Sequence, residues 1–87
     1  MAVTITAYTT GWCSDCARSK RVMQLAGMAY TEIDIEKTPD AEDAMRAING
    51  NSGKVPTILI ESGARRVVLV EPSNRELSDT LRAFACL

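Results

Sequence analysis

The sequence predicts an α/β sandwich whose elements run in the order βαβαββα. Three observations carry that prediction: period-two alternation near the N-terminus, helical apolar spacing in three later segments, and paired β-branched runs around a Ser-Gly turn. The 87 residues suit one small domain, read as residues 1–87, with no linker, repeat or low-complexity tract along the chain.

Val3, Ile5 and Ala7 alternate with Thr4, Thr6 and Tyr8, which predicts the first strand. Gly11 breaks that pattern, and a helix is expected from about Cys13 and Ser14. Its apolar stripe is Cys16, Val22, Met23 and Ala26, and Gly27 stops it. Tyr30 to Ile35 alternates again, with Ile33 and Ile35 on one face of a second strand. Thr38-Pro39-Asp40 then reads as a helix start, with Thr38 as N-cap, Pro39 in the first helical position and an acid in the first turn. Ala41, Ala44, Met45 and Ile48 form its apolar face, closed by Asn49-Gly50. Thr57–Ile60 and Arg66–Val70 flank Ser62-Gly63 as a hairpin whose tip carries Arg65 and Arg66. Ser73-x-x-Glu76 matches a capping box, and Leu77, Leu81 and Phe84 give the last helix its buried face.

Composition removes several classes of function. Lys and Arg number 10 against 11 for Asp and Glu, a formal net charge of −1, so the surplus of a general phosphate-backbone binder is absent and no nucleic-acid partner is expected. Hydrophobic residues make up 46% and charged ones 24%, the balance of a packed globule rather than a disordered chain. No apolar run approaches the roughly 18 residues of a membrane helix, and the N-terminus lacks a signal-peptide core. The chain contains no histidine, which excludes a Ser-His-Asp triad, a Cys-His hydrolase and His-ligated zinc. Its cysteines, Cys13, Cys16 and Cys86, are too few for a secreted disulfide scaffold, so a cytoplasmic, redox-active protein is expected; the chain is also expected to be a monomer.

The chemistry concentrates at Cys13-Ser14-Asp15-Cys16, placed where a strand turns into a helix. Cysteines three apart at a helix start are close enough to form a disulfide with little rearrangement. At the N-terminus, unpaired backbone N–H groups and roughly half a positive elementary charge favour thiolate over thiol at Cys13. Cys16, inside the first turn and more sheltered, is then the resolving thiol. Asp15 opposes a neighbouring thiolate, and Arg18, Lys20 and Arg21 offset it only in part. Half of a zinc site is the competing reading, but zinc takes four ligands and only Cys86 and carboxylates remain, so no metal is expected. Two buried structural cysteines are the other, against which Gly11 and Trp12 argue for an exposed turn. Met23 and Met45 read as core, and Cys86, beside the terminus, as incidental apart from a risk of adventitious intermolecular disulfides.

Trp12-Cys13-Ser14-Asp15-Cys16, Val55-Pro56-Thr57 and Val70-Glu71-Pro72-Ser73-Asn74, in that order and spacing, resemble the glutaredoxin branch of the thioredoxin-like superfamily over nearly the whole chain. The resemblance implies a thioredoxin-like (glutaredoxin-type) three-layer sandwich with a four-stranded mixed sheet. It also implies a cis bond before Pro56, facing the reactive cysteine, and recognition of the bound peptide or thiol by the backbone of Val55 as an added strand. Carried over by position, Cys13 is the nucleophile, Cys16 the resolving thiol and Trp12 the flank of the thiol-binding groove. Ser14 and Asp15 border the substrate, while Ser73 and Asn74 meet the polar part of the bound thiol. The capping role of Ser73 competes with the last assignment.

Three departures set this chain apart from glutathione-dependent members. Ser14-Asp15 replaces a CPYC-type dipeptide, Thr10-Gly11 stands where a Lys for a glutathione carboxylate is often found, and Pro72-Ser73-Asn74 replaces a Gly-Gly-Asp-type turn. The variant is more similar to bacterial mycoredoxin-like proteins. The implied function is reduction of mixed disulfides between proteins and a low-molecular-weight thiol (mycothiol, bacillithiol or glutathione), with that thiol as co-substrate and no tightly bound cofactor. Three alternatives stand beside it. One is a thioredoxin-like dithiol donor reduced by a flavoprotein reductase, although the Trp-Ser/Thr-Gly-Phe-Arg-Pro-Asp-type segment of ribonucleotide-reductase redoxins is missing. The others are a dimeric iron–sulfur carrier and a non-catalytic interaction module using the Val55–Thr57 edge.

Overall fold

A computed structural model describes residues 2–85, so Cys86 and the expectation attached to it lie outside the described residues. The elements are β1 (Thr4–Thr9), α1 (Ser14–Leu25), β2 (Thr31–Asp34), α2 (Ala41–Ile48), β3 (Thr57–Ser62), β4 (Arg65–Val70) and α3 (Asn74–Ala85), the expected βαβαββα order. They build a four-stranded mixed sheet in the order β2-β1-β3-β4. The α1 crossover makes β1 and β2 parallel, and β3 pairs antiparallel with both β1 and β4. Gly63, at φ 60°, supplies the left-handed residue of the β3–β4 hairpin turn.

Alternation along the strands decides which side chains meet. Ile5 and Ala7 of β1, Ile58 and Ile60 of β3 and Leu69 of β4 share one face and form the main core with Met23 of α1 and Leu77, Leu81 and Phe84 of α3. Helix α2 contributes a fully buried Met45 outside that cluster. Its C-cap residue, Asn49, donates from Nδ2 to Thr57 Oγ1 at 3.0 Å, and Thr57 has the opposite parity to Ile58. Helices α1 and α3 therefore cover one face and α2 the other. At the hairpin tip both arginines are exposed, with the Arg65 guanidinium lying 4.2 Å from the Phe84 ring centre.

Several local expectations change. Ala26 is exposed because it is the C-cap of α1, and Ala44 also faces solvent. In their place Ser19 is buried on α1, so that Cys16, Ser19 and Met23 make its inner face. Thr38 does not cap α2. The N–H groups of Lys37 and Thr38 both bond to Asp34 O at 3.1 and 3.0 Å, which winds the loop into its own turn, and Ala41 N–H closes a further turn onto Thr38 O at 3.2 Å. The helix begins only after these turns, with Asp40 as N-cap at φ 64° and no side-chain capping bond. Ser73 does cap α3, its Oγ accepting the Glu76 N–H at 3.0 Å.

Candidate active site

Sheet register assembles the site. Tyr8 of β1 faces Thr57 of β3, and Thr57 faces Val70 of β4. The chain leaving β1, the chain entering β3 and the chain leaving β4 therefore converge at one end of the sheet. They bring Trp12-Cys13, Val55-Pro56 and Glu71-Pro72 together from three separate stretches of the chain. The Val55–Pro56 bond is cis, and the Cys13 thiol reaches Val55 O at 3.7 Å.

Cys13 is the N-cap of α1, with φ −87° and ψ 115°, and its Sγ accepts the Cys16 N–H at 3.1 Å. Sulfur here takes the place that a Ser or Asp oxygen takes in an ordinary cap. That bond satisfies an N–H group left open at the helix start and leaves the sulfur half-buried at the N-terminal end of α1. Cys16 is in the opposite environment, 1% exposed on the inner face of α1. Burial, reinforced by hydrogen bonding of its thiol to Cys13, pushes Cys16 up to about 12. No disulfide joins the two in this structure. One consequence is directly measurable: at pH 8 iodoacetamide modifies Cys13 while Cys16 stays unmodified in the folded chain. Peptide mapping of the alkylated protein reads this, and equal labelling of both sites contradicts the assignment.

A groove of about 450 Å³ opens beside Cys13. Trp12, Ser14, Asp15 and Val55 line it, with Gly53, Lys54 and Glu71. A depression of about 500 Å³ over the β2–α2 loop is slightly larger but contains no cysteine, so the chemistry belongs to the groove at Cys13. Trp12 is 73% exposed, yet its Nε1–H is shared between both Glu36 carboxylate oxygens at 3.1 Å, which fixes the indole as a wall. Pro56 is buried behind Val55.

Ser73 and Asn74 lie outside the groove lining, at the start of α3, and are connected to it through Arg18. The Arg18 guanidinium donates to Asp15 Oδ1 at 3.1 Å, to Asn74 Oδ1 at 2.6 Å and to Pro72 O at 3.4 Å. Asp15 is thus directly paired, whereas Lys20 is turned toward Glu32 at 2.9 Å. Sequence reading did not single out Gly53, Lys54, Glu71 or Glu36 as site residues. Glu71 lies in the Val70–Asn74 segment that carries the family resemblance but has no role assigned there, and the other three belong to no motif; the strand register and the β2–α2 loop bring all four to the site.

The match to the glutaredoxin family model runs over residues 5–63, from β1 through the Cys13–Cys16 turn into β3. The chain belongs to the glutaredoxin family. This glutaredoxin is 35% identical to a Mycobacterium tuberculosis protein named as a glutaredoxin, over 93% of both chains. Among solved structures it superposes on the glutaredoxin of Brucella melitensis with a TM-score of 0.65 at 25% identity, covering 97% of this chain and 87% of that one. It superposes on the glutaredoxin-like NrdH-redoxin of Escherichia coli with a TM-score of 0.59 at 28% identity, covering 74% and 79%. The fold is thioredoxin-like, and the protein is a thiol-disulfide oxidoreductase of glutaredoxin type. Among the described residues, no helix is long and apolar enough to cross a membrane.

Proposed function

We propose that this glutaredoxin reduces mixed disulfides between proteins and a low-molecular-weight thiol. The Cys13 thiolate attacks the small-thiol sulfur, the protein thiolate leaves and takes up a proton, and Cys13 carries the small thiol as a mixed disulfide. A second small thiol then attacks the carried one, yielding the small-molecule disulfide and free Cys13. In the other branch Cys16 attacks Cys13 Sγ, giving the Cys13–Cys16 disulfide and the released small thiol. The observation that carries this reading is the Cys13 sulfur in an open groove, accepting the Cys16 N–H, with Cys16 held protonated behind it. A protonated resolving thiol is a slow nucleophile, so the intermediate lasts long enough to meet a second small thiol.

Groove charge favours a neutral, sugar-like thiol such as mycothiol over glutathione, with bacillithiol as a further candidate co-substrate. Arg18 is paired with Asp15, and among the described residues Lys54 is the one cation lining the groove, opposed there by Glu71, so no pair of free cations meets the two carboxylates of glutathione. In this reading Trp12 forms a wall for the bound thiol, Ser14 and Asp15 border it, and the Val55 backbone receives the substrate as an added strand beside Pro56. Ser73 is committed to its cap and Asn74 Oδ1 to Arg18, so at that end the substrate meets the backbone N–H groups of α3 and the Asn74 amide N–H. A reducing cytoplasm is the compartment that suits such a cycle.

A second reading, a thioredoxin-like dithiol donor, draws on the likeness to the Escherichia coli NrdH-redoxin, whose activity profile is described as thioredoxin-like. Intact-mass analysis separates the two. A Cys16→Ser, Cys86→Ser variant exposed briefly to oxidised mycothiol, bacillithiol and glutathione in parallel is expected to trap one dominant adduct on Cys13. No adduct from any of them, with Cys13 still alkylatable, overturns the proposal in favour of the dithiol donor.

A further inference from the structure

Behind the cysteines lies a charged network that the exchange chemistry described above does not use. Lys20 is four residues after Cys16 on α1, so the two side chains share a face one turn apart. Helical side chains lean toward the N-terminus, which carries the Lys20 chain toward Cys16. Its ammonium is held from the sheet side: Nζ donates to Glu32 Oε2 at 2.9 Å, and the same oxygen accepts the Thr9 hydroxyl at 2.7 Å. Thr9, at the end of β1, is 1% exposed, so the network is anchored in the packed interior. Hydrogen bonding to Lys20 and then to Thr9 holds the Glu32 carboxyl below its ordinary value, and the bond to Glu32 holds Lys20 above its own. Both partners are therefore charged at neutral pH.

The groups facing Cys16 are Cys13, the Thr10 backbone N–H and Lys20, and those facing Lys20 are Glu32, Tyr30 and Cys16. Burial and Cys13 oppose a thiolate at Cys16, while the Thr10 N–H and Lys20 favour it. Among the described residues, Lys20 is thus the one side-chain cation acting on Cys16, from one helical turn away.

We infer that Lys20, positioned by Glu32 and Thr9, stabilises the Cys16 thiolate as it forms and so sets how fast Cys16 resolves the intermediate on Cys13. It is a positioning residue for the second exchange and not for the first. The inference rests on the resolving role of Cys16 proposed above. In the step concerned, Cys16 gives its proton to solvent and its sulfur forms a bond to Cys13 Sγ. The bond from Cys13 to the small-thiol sulfur breaks, and the departing thiolate takes up a proton. One disulfide replaces another, with no net oxidation.

The test isolates that step. In a Cys86→Ser background, Cys13 is loaded with thionitrobenzoate, and release of the yellow anion by Cys16 is followed as a first-order process against pH. Losing the cation lowers the Cys16 thiolate fraction about tenfold, partly offset by the greater nucleophilicity of a more basic thiolate, for a net slowing of about threefold. Lys20→Met is therefore expected to release thionitrobenzoate about threefold more slowly, with its pH–rate profile displaced to higher pH. Lys20→Arg is expected to restore both. The rate at which Cys13 first attacks a disulfide, measured in Cys16→Ser with and without Lys20→Met, is expected to stay the same. An unchanged release rate and profile in Lys20→Met overturns this inference alone, as does equal slowing of the first attack, which marks a merely structural role. Absence of release from the protein with Lys20 intact overturns the resolving role of Cys16, and this inference with it.

Discussion

Replacing Cys13 with serine is expected to lower the rate of thiol–disulfide exchange by at least about three orders of magnitude, because a neutral-pH hydroxyl does not attack a disulfide sulfur. The fold is expected to survive. Cys13 Sγ already occupies the N-cap position of α1 and accepts the Cys16 N–H at 3.1 Å, and serine oxygen is among the preferred acceptors there. The melting temperature of Cys13→Ser is therefore expected to be equal to or above that of the parent chain. Turnover of a mixed-disulfide substrate and a thermal melt on one sample check both halves. Activity retained in Cys13→Ser would move the function away from thiol exchange, toward an interaction module acting through the Val55–Thr57 edge.

The largest stability loss is expected at Ile58. It sits mid-sheet, opposite Ala7 on one side and Leu69 on the other, and is fully buried beneath α1 and α3. Truncation to alanine removes its packing and leaves a cavity that two hydrogen-bonded neighbouring strands cannot close, a cost of about 3–4 kcal/mol. Against the roughly 5–15 kcal/mol total of an ordinary domain, that is a large share, and for a chain of this size it corresponds to a fall of about 15 °C or more in melting temperature. Leu25→Ala is the contrast: Leu25 is 78% exposed, and its loss is expected to stay within about 0.5 kcal/mol. Urea unfolding of the two variants at equal ionic strength measures the difference. Similar midpoints for Ile58→Ala and the parent would mean that β3 does not form the centre of the core.

Much of this protein was legible in its sequence because the relevant signals are local. Val3 to Tyr8 alternates at the period of a strand, Leu77, Leu81 and Phe84 recur at the period of a helix, and Ser73 precedes its helix at capping distance. Cys13 and Cys16 are three residues apart at a helix start, so their proximity and unequal exposure follow from helix geometry alone. The start of α2 departs from its local signal for a related reason. Thr38-Pro39-Asp40 has the local chemistry of a cap, but the loop wraps onto Asp34 O, and that competing hydrogen bonding cannot be seen from the three residues themselves.

The sequence by itself determined the order of the elements, the pairing of two cysteines at one helix start and the division between a half-buried and a buried thiol, since each depends on residues close in the chain. Only the tertiary structure decided what surrounds that pair. Lys54 and Glu71 enter the groove because β3 begins and β4 ends at the end of the sheet where β1 ends, Glu36 reaches Trp12 from the β2–α2 loop, and Lys20 turns to Glu32 because β2 runs parallel to β1. Arg18 neutralises Asp15 while bridging to α3, a contact across 56 residues of chain. Charge acts through space, so the potential at Cys13 and Cys16 depends on strand order and register, which no local spacing specifies.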